Sequence, residues 1–188
     1  RLLADWYREK GREVVLTREP GGTELGNHLR HLILTKPMTP ETEFLLYSAD
    51  RAEHAATVIR PGLDRGAVVI CDRWLDSSLA YQGCGRGLSI DWLTAFSKYF
   101  LINLTQTFTF LLTLPPRLGL WRAKHRRMSN EPDRFESEEI AFHQRVLDGF
   151  LELARLDEKR FIVMDAEKPC AYVVQNQIRS VLKKRGRI

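Results

Sequence analysis

Residues 68–87, with the sequence VVICDRWLDSSLAYQGCGRG, decide the fold predicted for this chain. The first four are apolar and indicate a short strand that is buried on both faces of a parallel sheet. Asp72 and Arg73 follow directly, at the carboxyl end of that strand, where ligands of open α/β proteins bind. Hydroxyl, amide and glycine residues come next, so this edge of the sheet is expected to form a polar pocket. On composition alone, a loop ion pair followed by a flexible glycine-rich connection is an equal alternative.

Four apolar stretches predict strands, at about 13–17, 67–72, 107–114 and 160–165. Residues with helical spacing lie between them, and strands that alternate with helices are typical of a parallel α/β sheet. Such a sheet is covered by helices on both faces. The pattern therefore predicts an α/β fold in a single domain over residues 1–188.

A long helix is predicted over residues 41–60. Its core-facing stripe is expected to consist of apolar side chains, namely Phe44, Leu45, Ala49, Ala52, Ala56 and Ile59. Tyr47 and Arg51 lie one turn apart on another face, so together they are able to contact a planar base. Surface packing of this pair is the alternative, and the spacing alone favours it.

The composition is that of an ordinary globular protein, with 44% hydrophobic and 28% charged residues among 188. Its three cysteines, Cys71, Cys84 and Cys170, are far apart and form no Cys-x-x-Cys pair, so neither a disulfide framework nor a zinc site is indicated. No apolar run approaches the roughly 20 residues that cross a bilayer. We therefore expect a soluble, cytoplasmic protein without a membrane partner.

The net charge of +5 favours anionic partners, which are either nucleic acid or small phosphorylated molecules. Arg18, Arg73 and Arg86 stand beside glycines or at predicted strand ends and form no continuous basic stripe. This distribution favours several phosphate contacts over nucleic-acid binding. Further basic residues at 122–127 lead into a very polar segment, which is either a mobile lid or a solvated loop.

Three motifs in this order and spacing resemble the bacterial thymidylate kinases: TREPGGT at 17–23, Asp-Arg at 72–73, and AYQG at 80–83 followed by Gly-Arg-Gly at 85–87. The resemblance extends over essentially the whole chain. It implies a P-loop kinase fold, with a parallel sheet between two layers of helices and a short lid at about 125–136. It also implies a homodimeric enzyme that transfers the γ-phosphoryl group of ATP to dTMP with Mg²⁺, giving dTDP for dTTP synthesis.

The resemblance also assigns roles to residues of the acceptor site. By it, Tyr47 stacks on thymine, Arg51 donates to a base carbonyl, and Ser78 contacts the polar edge of the base. Tyr81 lies against the deoxyribose, where a 2′-hydroxyl would need room. Further substrate-binding positions implied in this way are Arg18, Glu19, Pro20 and Gln82.

The remaining roles implied by the resemblance concern the phosphates. Arg73 holds the dTMP phosphate and takes part in catalysis, and Asp72 helps to place Mg²⁺ through water. Arg122 belongs to the part of the lid region that contacts ATP. The catalytic candidates of the lid are Arg126, Arg127 and Arg134.

The Gly-rich loop of the family, which ends in Gly-Lys-Ser or Gly-Lys-Thr, is not found between Arg1 and Ile188. We therefore expect an N-terminally incomplete chain that is neither active nor well folded alone. The sheet order implied by the resemblance puts the absent strand between the strands at 67–72 and 107–114. A related deoxynucleoside kinase, or a nucleotide-binding protein without catalysis, is the alternative function.

Overall fold

The computed structural model describes residues 1–126, 133–167 and 170–186. Within these ranges the four predicted strands are present close to their predicted bounds: β1 Val14–Arg18, β2 Val68–Asp72, β3 Thr109–Thr113 and β4 Phe161–Asp165. The α-helices are α1 Leu2–Arg8, α2 Glu24–Thr35, α3 Pro40–His54, α4 Arg60–Asp64, α5 Leu75–Ser78, α6 Ile90–Phe100, α7 Pro116–Arg126, α8 Ile140–Leu156 and α9 Ala171–Lys184. Two π-helical segments, Ala55–Ile59 and Leu79–Gly85, continue α3 and α5.

The strands form two parallel pairs, β1 with β2 and β3 with β4. Arg18 stands opposite Asp72 at the carboxyl end of the first pair, and Thr109 stands opposite Phe161 at the start of the second. Over the described ranges the two pairs are not hydrogen bonded to each other. Thus β2 and β3 each have a ladder partner on one side only among the described residues.

The prediction that β2 is buried on both faces is wrong. Val68, Val69, Ile70 and Cys71 are all only partly buried. A strand with one neighbour leaves its other edge, and the side chains beside that edge, open to solvent. The other strands expose apolar residues as well, with Leu112 47% and Val163 49% exposed.

The predicted inner face of α3 is also wrong in part. Phe44 is fully buried, but Leu45 and Ala49 from the expected apolar stripe are exposed. The buried positions of this helix are largely polar or charged, namely Glu43, Ser48, Asp50, Arg51 and His54. These charges are tolerated inside because most of them are paired with partners from other elements.

The π-helical segment Leu79–Gly85 packs closely on α8. A Cβ at Gly149 would lie 2.6 Å from Cys84 Sγ, and one at Gly85 would lie 2.8 Å from a ring carbon of Phe142. Side chains at these two positions would therefore separate the segment from the helix. In the ranges given above, no helix has the length and apolar character that crossing a membrane requires.

Candidate active site

The carboxyl ends of β1 and β2 lie at the same edge, and the two turns that follow them are joined. The backbone N–H of Glu19 donates to the carbonyl oxygen of Asp72 over 2.9 Å. Arg73 adopts a left-handed backbone conformation, with φ of 72°, which turns the chain away from β2 directly after Asp72. The TREP and Asp-Arg motifs, although far apart in sequence, are thus neighbours in the fold.

Glu19 lies at the centre of a buried hydrogen-bond network. Its Oε2 accepts from Arg51 Nε over 2.8 Å, and its Oε1 accepts from His54 Nδ1 over 2.9 Å. His54 Nε2 lies 2.6 Å from the hydroxyl of Thr17 in β1. Glu19, Arg51 and His54 are all 4% exposed or less. This network fixes the orientation of the Arg51 guanidinium relative to the end of β1.

The loop after Glu19 and the first turn of α2 approach α3 so closely that only glycine fits at two positions. A Cβ at Gly22 would lie 2.5 Å from the His54 ring, and one at Gly26 would lie 2.3 Å from Asp50 Oδ1. The Gly21 N–H donates to the same Asp50 oxygen over 3.0 Å. Burial raises the pKa of Asp50 from 3.8 to about 6, although the Gly21 hydrogen bond acts in the opposite direction.

Arg51 has one donor that the protein leaves unused. Its Nη2 donates to Ser78 Oγ over 3.0 Å, and its guanidinium carbon lies 5.7 Å from the ring centroid of Trp74. Its Nη1 is buried and has no hydrogen-bond partner among the described residues. A buried N–H group without a partner is costly, so this atom is placed to donate to an acceptor oxygen of a ligand.

Tyr47, Arg73 and Tyr81 come together one turn from Arg51, because Tyr47 and Arg51 are four residues apart on α3. The Arg73 guanidinium carbon lies 5.2 Å from the centroid of the Tyr81 ring. Burial, reinforced by the Glu43 carboxylate, raises the pKa of the Tyr47 hydroxyl above its usual range. The hydroxyl therefore stays neutral at physiological pH. The structure thus joins an aromatic side chain, a permanent cation and the Arg51 donor in one place.

A second buried carboxylate, Glu43, lies one turn before Tyr47 on α3. It accepts from Gln82 Nε2 over 2.6 Å, from Arg134 Nη2 over 2.6 Å and from Arg86 Nε over 3.3 Å. Arg134 Nε also donates to the carbonyl oxygen of Ile33 over 2.6 Å. In this arrangement Arg134 binds the protein itself and fastens the segment that begins at Asp133 to α2 and α3.

Within the described part of the chain, the other predicted site residues take no part in these hydrogen bonds and ring contacts through their side chains. Arg18 and Asp72 are exposed at the open edge of the first strand pair. Arg122, on α7, donates to the carbonyl oxygens of Ala166 and Glu167. Pro20 is buried in the turn after β1. Arg127 and the side chain of Arg126 lie outside the described residues.

Sequence reasoning missed two residues of the site, Glu43 and His54. Glu43, Tyr47, Arg51 and His54 recur every three or four residues, so they lie on one face of α3. That periodic row of polar residues was the available signal. Tyr47 and Arg51 were placed away from the apolar stripe, but Glu43 and His54 were not added to them because charged residues are seldom buried.

The site combines arginines at the carboxyl ends of parallel strands with a buried N–H donor and an aromatic ring. This combination defines an α/β enzyme that binds a nucleotide or a similar anion. The comparisons identify its family. The sequence model described as thymidylate kinase matches residues 1–178, and the chain belongs to this family. Thymidylate kinases transfer a phosphoryl group from ATP to dTMP, so the predicted family, fold class and activity are confirmed.

Individual relatives agree with this assignment. The thymidylate kinase of Deinococcus radiodurans is 49% identical over 164 residues, which are 86% of this chain and 78% of that protein. That of Desulfovibrio desulfuricans is 43% identical, with 98% of this chain and 90% of the relative covered. The crystal structure of thymidylate kinase from Ehrlichia chaffeensis superposes with a TM-score of 0.76 at 30% identity, and covers 97% of this chain and 88% of that one.

Proposed function

We propose that dTMP binds in the space beside Arg51, Tyr47 and Arg73, with its base toward Arg51 and its phosphate toward Arg73. The buried, unpartnered Nη1 of Arg51 is the observation that carries this proposal. Position 4 of thymine is a carbonyl oxygen, which accepts from such a donor, whereas position 4 of cytosine is an amino group, which only donates. Arg51 therefore favours thymine over cytosine.

Three side chains support the orientation of the base. Tyr47 lies one turn before Arg51 on α3 and offers an aromatic face to a planar ring. Ser78 accepts from Arg51, so its hydroxyl stands next to the same edge of the base. Tyr81 packs edge to face against Phe135, with ring centroids 5.8 Å apart, and limits the space beside the sugar. We expect this crowding to disfavour a 2′-hydroxyl.

The phosphate of dTMP is assigned to the arginines that follow β1 and β2. Arg73 is permanently charged and forked, and its left-handed backbone turns it toward Tyr81. Arg18 stands opposite Asp72 across the strand pair and remains exposed. Cations at this edge stabilise the peripheral oxygens on which charge is spread during phosphoryl transfer.

Asp72 fits the role assigned to it for Mg²⁺. Its carboxylate is exposed at the carboxyl end of β2. Mg²⁺ keeps several waters and commonly uses one or two protein carboxylates together with substrate phosphates. When bound, the ion would neutralise charge on the phosphates. Arg122 is proposed to contact ATP, and one of Arg126, Arg127 and Arg134 is proposed to stabilise the transferring group.

We also infer that the enzyme is a homodimer. The support is a row of exposed aromatic side chains on α6, where Trp92 is 43% and Tyr99 is 85% exposed. Such residues are enriched at interfaces between subunits. Light scattering coupled to size exclusion tests this inference, and a monomeric mass at micromolar concentration would contradict it.

The acceptor assignment is tested by titrating the chain with dTMP, dUMP, UMP and dCMP in a calorimeter. The expected order is dTMP tightest, with UMP weakened by its 2′-hydroxyl and dCMP weakened by its amino group. Arg51→Lys is the diagnostic variant, because it keeps a cation but lacks the forked Nη1 donor. Equal affinity of the unaltered chain for dTMP and dCMP would refute the assignment.

A further inference from the structure

Two cross-links join α3 to the segment that runs from α5 into the π-helical turn. Arg51 donates to Ser78 over 3.0 Å, and Gln82, one turn after Ser78, donates over 2.6 Å to Glu43, which lies two turns before Arg51 on α3. Tyr47 lies midway between Glu43 and Arg51 on the same face of α3. A base stacked on Tyr47 therefore lies between the Arg51–Ser78 pair and the Glu43–Gln82 pair.

The Glu43 carboxylate determines which way the Gln82 amide points. A carboxylate offers only acceptor oxygens, so the NH₂ group of Gln82 must face it. Glu43 is 0% and Gln82 is 1% exposed, so water does not compete for this hydrogen bond. The amide oxygen of Gln82 then points away from Glu43, and no hydrogen bond to it is seen among the described residues.

We propose that Glu43 is a positioning residue for base recognition, because it holds Gln82 with its acceptor oxygen toward the base. This inference rests on the proposed acceptor site. Thymine carries an N–H donor at position 3, which this oxygen accepts, whereas cytosine carries an unprotonated acceptor there. The site thus offers the base one donor, the Arg51 N–H, and one acceptor, the Gln82 amide oxygen, and Glu43 determines the position of that acceptor. No contact between Glu43 and the nucleotide is needed.

The two arginines that donate to Glu43 determine how a glutamine at position 43 would orient its amide. Arg86 and Arg134 both donate to Glu43 Oε2, and guanidinium groups only donate. In Glu43→Gln, the new amide must turn its oxygen to the arginines and its NH₂ to Gln82. Gln82 must then rotate and present its own NH₂ to the base. The altered site is complementary to cytosine at position 3.

The test measures dissociation constants for dTMP and dCMP by calorimetry on the full 188-residue chain. Glu43→Gln is expected to weaken dTMP and to reduce the preference for dTMP over dCMP by about tenfold. Glu138→Gln is the matched control, because Glu138 pairs with the same Arg86 over 2.6 Å but does not contact Gln82. It is expected to change the preference by less than about twofold.

A double variant, Glu43→Gln with Gln82→Glu, separates the role in recognition from a role in stability. In it, the amide introduced at position 43 donates its NH₂ to the carboxylate introduced at position 82. The second oxygen of that carboxylate again presents an acceptor to the base, so the preference for dTMP is expected to return. Circular dichroism establishes that each variant is folded. If Glu43→Gln alone does not fold, the double variant decides the question.

The outcomes distinguish this inference from the proposal on which it rests. Failure of the unaltered chain to prefer dTMP over dCMP would refute the acceptor site itself. If the unaltered chain prefers dTMP and folded Glu43→Gln keeps that preference, only the role of Glu43 is overturned. A folded double variant without the preference would also overturn it. Loss in Glu43→Gln and recovery in the double variant would establish it.

Discussion

Replacing Arg51 by methionine tests the buried network that supports the site. Methionine keeps most of the length of the arginine side chain, but Glu19 loses the Arg51 Nε donor at 2.8 Å. Glu19 stays buried and keeps only the hydrogen bond with His54 out of these two side-chain partners. Removing one member of a buried ion pair costs about 3 to 5 kcal/mol, because the other charge stays buried without compensation. That cost is a large part of the roughly 5 to 15 kcal/mol by which domains are stable.

The measurement is urea denaturation, followed by circular dichroism, of four proteins: the unaltered chain, Arg51→Met, Glu19→Gln and the double variant. The double variant should be more stable than Arg51→Met, because a neutral glutamine in place of Glu19 no longer needs a cation. Arg155→Met is the control, since Arg155 pairs with Glu152 over 2.7 Å on the surface and the change should have little effect. Additive effects of Arg51→Met and Glu19→Gln would refute the reasoning.

Three further predictions concern neighbouring residues. Burial raises the pKa of Asp50 to about 6, so the folded chain binds this proton more tightly than the unfolded chain. The free energy of unfolding should therefore fall by about 3 kcal/mol in total as pH rises from below about 3 to above about 7. Asp50→Asn should remove that fall in urea titrations repeated across pH, and an unchanged profile would contradict the assignment. Gly26→Ala should cost about 1 to 3 kcal/mol through its clash with Asp50, whereas Gly119→Ala in α7, where the nearest atom is 3.8 Å away, should be neutral or stabilising by thermal unfolding. If Arg134 stabilises the transferring phosphoryl group, then in a form of the chain that also carries the Gly-rich loop of the family, Arg134→Ala should lower kcat by about 10³ or more with dTMP affinity nearly unchanged. An unreduced kcat in that form would exclude the role.

Local pattern was sufficient to predict much of the fold. The four strands were located because short apolar runs bounded by Gly, Pro and charged residues are distinctive in any context. The meeting of Glu19 and Asp72 was also predictable in outline, since carboxyl ends of parallel strands share one edge. Their hydrogen bond agrees with this. The roles of the site residues toward nucleotide remain predictions.

The inner face of α3 was not predictable from its own residues. Arg51 pairs with Glu19, which is 32 residues away in sequence, and Glu43 accepts from Gln82, which is 39 residues away. A charged residue is counted as outward-facing unless its partner is known, and these partners come from other elements. The partial exposure of β2 was missed for a similar reason, because exposure of a strand depends on what lies at its edges.

The sequence by itself determined the order of strands and helices, the turns after β1 and β2 and, through its motifs, the family. These features depend on residues close together in the chain or on their fixed order. Only the tertiary structure decided that Glu43 and Glu19 are buried, that each is paired with arginine, and that Arg51 keeps one donor without a partner among the residues the structure describes. Burial and pairing depend on distances between elements, and the energy of a charge depends on what surrounds it in space.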